Sequence, residues 1–118
     1  MDAKKAQAAF AALAQPTRLK AFRKLVAAHP NGLPAGDIAE FCKVPHNTMS
    51  THLAALMRGG LIAVSRQGRS MNYRADLDGF RGLIDFLLRD CCGGRPKICA
   101  SVVDEFAACR APARKIAS

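Results

Sequence analysis

Three of the five cysteines, Cys91, Cys92 and Cys99, fall in one short segment. Cys91 and Cys92 are adjacent, with Cα atoms ~3.8 Å apart. Disulfides favour ~4.4–6.8 Å, so a bond within that pair would be strained. The odd total, with all but Cys42 at or after position 91, points away from a disulfide framework and toward thiolate chemistry. Arg95 and Lys97 set positive charge beside the thiols, which favours the thiolate form. Adjacent side chains on a regular helix diverge by ~100°. Gly93, Gly94 and Pro96 supply the irregular backbone that lets Cys99 fold back toward the pair. Cys42 reads as a small buried hydrophobe, and Cys109 is treated as a non-ligand. There is no Cys-x-x-Cys motif, no phosphate-binding loop and no Ser/His/Asp constellation, so no enzyme is expected.

A second set of residues could read nucleic acid. His46, Asn47, Thr48, Ser50 and Thr51 are compact donors and acceptors at the start of one helical segment. Such side chains reach base edges and phosphates. Arg66, Arg69 and Arg74 cluster on a hairpin segment with Tyr73 between them, suited to a minor groove. His52 lies between the polar and apolar faces of its helix and is expected to be a hydrogen-bonded structural histidine. Eighteen Lys and Arg against nine Asp and Glu give a net charge of +9, which points to an anionic partner.

The elements that must position these residues follow from punctuation and periodicity. At 118 residues the chain fits one domain, expected over 1–110 with the thiol segment 91–99 near its end and a flexible tail at 111–118. Helices are expected over 3–14, from Pro16 through Leu19, Phe22, Leu25 and Val26, over 35–42 and over 46–58. Ile38, Phe41 and Cys42 should face inward, as should Met49, Leu53, Leu56 and Met57. Pro16 suits a first helical turn, His29-Pro30-Asn31-Gly32 marks a turn, and Gly59-Gly60 stops the fourth helix. Strands are expected over 61–66 and 71–75 around the turn 67–70. A fifth helix starts near 77 or 78, carries Phe80, Leu83, Ile84, Leu87 and Leu88, and ends before Gly93. A short last helix is expected over 101–109. Two short helices with a tight turn, followed by a hairpin, make a winged helix-turn-helix: mainly α with a small β-hairpin wing, in the order α-α-α-α-β-β-α. The Ala-rich stretch 8–14 is too short and too weakly apolar for a signal peptide, and no apolar run approaches the ~18–20 residues of a membrane span. A cytoplasmic protein without a membrane partner is expected.

With these elements placed, the sequence resembles the ArsR/SmtB family of winged-helix repressors. The resemblance rests on Phe10-Ala11-Ala12-Leu13-Ala14-Gln15-Pro16-Thr17-Arg18-Leu19, Asp37-Ile38-Ala39, Ser50-Thr51-His52-Leu53-Ala54-Ala55-Leu56, Gly60-Leu61-Ile62, and Gly68-Arg69 with Tyr73. It covers roughly residues 8–90. It implies a homodimer paired through the first and fifth helices. It also implies release from double-stranded operator DNA when a metal, metalloid or redox signal binds, and the two-fold symmetry of a dimer makes an inverted repeat the expected operator. One arsenic-sensing pattern of the family has Cys-Val-Cys where this chain has Pro34-Ala35-Gly36. Zinc-sensing members carry Asp and His ligands along the fifth helix, and no histidine lies between Asp78 and Asp90 here. The Cys91, Cys92 and Cys99 segment resembles arsenite-sensing members whose three thiols follow the fifth helix. Trivalent arsenic is soft and takes three thiolates, and Sb(III) shares that chemistry. The expectation is an As(III)-responsive repressor. Three readings stay open beside it. A softer-metal sensor would use Cd, Pb or Zn with a fourth ligand. A redox sensor would form a disulfide or persulfide through Cys99. A thiol oxidoreductase or arsenate reductase would use the same cysteines.

Overall fold

The computed structural model describes residues 2–91, the last three (89–91) by backbone alone. Asp2 caps the first helix, α1 (Ala3–Leu13), its carboxylate accepting from the Lys5 N–H at 2.8 Å. Gln15 does the same for α2 (Pro16–Ala27), accepting from the Arg18 N–H at 2.9 Å, with Pro16 at the first helical position. The chain continues through β1 (Leu33–Pro34), α3 (Ala35–Cys42), α4 (His46–Arg58), β2 (Ile62–Gln67), β3 (Ser70–Ala75) and α5 (Leu77–Cys91). The order matches the sequence expectation except for β1. The expected helix over 101–109 and the tail 111–118 lie outside the described residues.

The sheet runs β1-β3-β2, antiparallel throughout. Leu33 pairs with Tyr73, and β2 pairs with β3 from Ile62 opposite Ala75 to Gln67 opposite Ser70. The β1 strand is too short to show alternation; it exists because the turn at 29–32 is tied to β3. The Asn72 side-chain amide, buried, donates to the Asn31 carbonyl at 2.7 Å, which satisfies a polar group that would otherwise be costly to bury.

The contacts divide the chain into two units, residues 1–83 and 84–118. In the first, Leu25, Ile38, Met49, Leu53, Leu56, Leu61 and Leu83 are each under 2% exposed. Each such side chain contributes ~1.5–3 kcal/mol by leaving water. Phe22 and Phe80 pack as a tilted pair with ring centroids 5.6 Å apart. Helix α1 buries only alanines, Ala6, Ala9 and Ala12. These small residues allow a close crossing: a Cβ on Gly59 would stand 3.0 Å from the Ala9 Cα. In the second unit the described residues, 84–91, continue α5.

Phe41 and Met57, expected inward, are instead exposed at 41% and 39%, and Leu19 and Val26, at helical spacing on α2, are exposed at 44% and 41%. The cause is angular. On α2 the buried set is Ala21, Phe22 and Leu25, and at ~100° per residue Leu19 and Val26 lie about a quarter turn away. The same offset separates Phe41 from Ile38, Ala39 and Cys42, and Met57 from Met49, Leu53 and Leu56.

Candidate nucleic-acid interface

Helices α3 and α4 are joined by residues 43–45. Lys43 takes a left-handed conformation, φ 59°. Its N–H donates to the Glu40 carbonyl at 3.2 Å, and the Val44 N–H to Ala39 at 3.1 Å, closing the carbonyl end of α3 as a left-handed cap does. Pro45 then starts α4 and offers no side chain to cap its first turn. Apart from the Thr48 N–H, which the Asn47 side chain takes, the positive pole of α4 suits a phosphate.

His46, Asn47, Thr48, Ser50 and Thr51 are all exposed on this first half of α4, whereas Met49 between them is buried. The polar groups are held in order by local bonds. The Asn47 side-chain carbonyl accepts from the Thr48 N–H at 2.9 Å. The Ser50 hydroxyl donates to the His46 carbonyl at 3.2 Å, and that of Thr51 to Asn47 at 3.5 Å. Both hydroxyls thus keep their acceptor lone pairs for an outside donor.

His52, half-buried on the same helix, accepts at Nδ1 from the Arg18 Nε–H at 3.1 Å. The ring is therefore neutral, with its proton on Nε2. Burial, and then the Arg18 charge, push its pKa below the ordinary imidazole value. His52 is the hydrogen-bonded structural histidine expected, and it ties α4 to the first turn of α2. Its partner, Arg18, lay beyond sequence reasoning.

On the wing, Arg66 and Arg69 are exposed beside the turn at Gly68, whose φ is +63°. The Arg66 Nε–H donates to the Gly68 carbonyl at 3.4 Å. Met71, opposite Arg66 in the register, is exposed with them. Tyr73 sits deeper, paired with Val64 on one side and Leu33 on the other. Arg74 does not join the tip. It pairs opposite Ala63, reaches over the turn at Gly32, and lines a groove with His29, Asp76, Asp78 and Arg81. The basic cluster therefore reduces to Arg66 and Arg69, because residues farther from the turn lie toward the sheet's base.

Of the three thiols, Cys91 ends α5 by its backbone, and Cys92 and Cys99 lie outside the described residues. Among the described residues no group of three or more His, Cys, Asp or Glu gathers as a metal would need. Cys42 is buried, and burial raises its thiol pKa against the lowering effect of Lys20. It behaves as the core residue expected. No helix among the described residues is long and apolar enough to cross a membrane.

The sequence matches a helix-turn-helix domain model over residues 13–65. That span holds α2, β1, α3, the tight turn and α4, and the β2–β3 hairpin completes it. The fold is a winged helix-turn-helix. Solved structures agree. An ArsR-like transcriptional regulator from Rhodococcus sp. RHA1 superposes with TM-score 0.68 at 23% identity, covering 88% of this chain and 93% of that one. The homodimeric winged helix-turn-helix DNA-binding domain of a possible ArsR-family regulator from Mycobacterium bovis gives TM-score 0.60 at 27% identity, covering 68% and 72%. A possible transcriptional regulator for arsenical resistance gives 0.57 at 25%, covering 64% and 76%. No curated protein matches the sequence. Within this winged helix-turn-helix, α4 takes the place of the second helix of the motif, the one that enters the major groove in proteins of this design.

Proposed function

We propose that the protein is an ArsR-type, homodimeric transcriptional repressor. In this reading it binds an inverted-repeat operator and leaves it when As(III) binds Cys91, Cys92 and Cys99. The observation that carries the DNA-binding half is the exposed polar start of α4, where Pro45 supplies no cap, on the same fold as the Arg66 and Arg69 wing. Asn47 and Thr51 read bases, His46, Thr48 and Ser50 contact bases or phosphates, and Arg66 and Arg69 hold the neighbouring backbone. The net charge of +9 supports an anionic partner. Dimerisation is supported by the homodimeric Mycobacterium bovis relative, and two-fold symmetry makes the operator an inverted repeat.

The As(III) half rests on donor chemistry. Three thiols beside Arg95 and Lys97 fit a soft trivalent ion and suit Sb(III) equally. The likeness to a possible regulator for arsenical resistance supports the same signal. Gel shifts on selected inverted repeats, with arsenite, antimonite, Zn(II), Cd(II) and a mild oxidant in parallel, test the reading. Release by arsenite, lost on replacing Cys91, Cys92 or Cys99 singly by Ser, is the expected result. Release by oxidant alone would assign the thiols to redox sensing. A protein with no affinity for any selected duplex would remove the DNA reading itself.

A further inference from the structure

Helices α2 and α3 leave an open groove of about 460 Å³ between them, lined by Pro16, Leu19, Lys20, Lys24, Ala27 and Phe41, with Arg23 at its side. Its floor is apolar and its rim is cationic. The Lys20 ammonium stands 5.0 Å from the centre of the Phe41 ring, and the Lys24 ammonium 4.6 Å. Two cations stand over one aromatic ring, which attracts each of them but leaves their mutual repulsion uncompensated. No carboxylate among the described residues pairs with Lys20, Arg23 or Lys24. Leu19 and Phe41, meanwhile, remain largely exposed where the core would have taken them.

We propose that this groove binds a small amphipathic organic carboxylate, its apolar body against Leu19, Ala27 and Phe41 and its charged head between Lys20, Lys24 and Arg23. The charge of the rim selects an anion, and the apolar floor selects a body that a simple ion lacks. Size favours a small molecule over a peptide. The volume falls in the ~300–1,000 Å³ range of small-ligand sites, whereas a protein partner needs ~800 Å² on each side. The sugar–phosphate backbone of DNA would use the cations and leave Phe41 and Leu19 without a role. The site uses no residue assigned above to DNA or to As(III), so it stands or falls separately from the proposed function.

The test is titration of the full-length reduced protein with octanoate, below its micellar concentration, and with 2-naphthoate, read by calorimetry and by amide chemical shifts. Saturable binding is expected, with shifts centred on α2 and α3. Acetate, which lacks the body, and octanol, which lacks the charge, should each bind at least tenfold more weakly. Lys20→Ala with Lys24→Ala should weaken both carboxylates at least tenfold, and Phe41→Ala should weaken 2-naphthoate more than acetate. Lys20 is exposed and Lys24 half-buried, and an unchanged Tm will show that this double variant folds; Phe41→Leu keeps an apolar floor should Phe41→Ala not fold. No saturable binding, or binding indifferent to the lysine pair, overturns the proposal. So does a lysine variant that loses DNA affinity and salt dependence while carboxylate binding is absent, since the cations would then belong to phosphate. An acidic helical peptide that outcompetes both probes at the groove would likewise overturn it in favour of a protein partner.

Discussion

His52 and Arg18 form one hydrogen bond at 3.1 Å, and its donor–acceptor sense makes it sensitive to acid. A protonated imidazole cannot accept at Nδ1, and it would face the Arg18 charge. The folded pKa is lowered, so as pH falls the unfolded chain takes up the proton first. The stability this pair contributes is therefore present above the ordinary imidazole value and is lost as pH falls from there through the lowered folded value. Chemical denaturation of wild type and His52→Gln at pH 7.5, 6.5 and 5.5 checks this. Gln does not titrate, so the difference between the two should shrink toward acid; parallel curves would show that His52 does not carry the effect. Arg69 gives a second test at this scale. Arg69→Ala should weaken binding across DNA sequences and reduce the log–log salt slope by ~0.9, one phosphate's share. Asn47→Ala should shift sequence preference and leave that slope nearly unchanged. An unchanged slope in Arg69→Ala would detach the wing tip from DNA.

At the scale of elements, the hinge between the wing and α5 is set by Asp76 and Gly79. The Asp76 N–H donates to the Leu61 carbonyl at 2.8 Å, and its carboxylate accepts from the Gly79 N–H at 2.9 Å, capping α5. Gly79 lies so close to residue 60 that a Cβ there would collide with the Gly60 carbonyl oxygen. Alanine at 79 has the better helix propensity, yet the collision involves backbone, which cannot swing aside. Gly79→Ala should therefore destabilise the protein by ~1–3 kcal/mol, the usual cost of overpacking, seen as a lower denaturation midpoint with an unchanged m-value. A neutral or stabilising result would mean that α5 can shift away from residue 60 at little cost. The contrasting position is Gly82, where a Cβ meets nothing within 4 Å. Gly82→Ala should gain from propensity alone, by up to ~1 kcal/mol.

For the whole molecule, the proposed thiol segment begins at Cys91, the last residue of α5. In a homodimer both reading helices must meet successive major-groove faces ~34 Å apart. Coordination of As(III) that alters the spacing of two reading heads disfavours the DNA-bound dimer without separating it. Couplings of this kind are ~1–3 kcal/mol, so arsenite should weaken operator affinity ~5–150-fold, and operator DNA should weaken arsenite binding by the same factor. Light scattering with and without arsenite, alongside the two titrations, checks both statements. A dimer throughout is expected; arsenite-driven monomers would replace the spacing model with subunit dissociation.

Much of this architecture is legible in the chain itself. Pro16, Pro45, the Gly59-Gly60 stop and the Gly68 turn act on the backbone within a few residues, so α2, α3, α4 and the hairpin fall where their punctuation puts them. The polar start of α4 and the burial of Met49, Leu53 and Leu56 follow from helical periodicity alone. The site proposed at Cys91, Cys92 and Cys99 rests on residue type and spacing alone. Tertiary structure decided what depends on partners distant in the chain. Leu33 and Pro34 became a strand only because β3 presents Tyr73 and Asn72 to them. Arg74 turned toward Gly32 instead of the wing tip, and His52 found Arg18 across 34 positions of sequence. Leu19 and Phe41 were left outside the core, where Lys20 and Lys24 gather over the Phe41 ring. Periodicity gives the apolar face of a helix to within about a quarter turn, and only the neighbouring helix decides which edge of that face is covered.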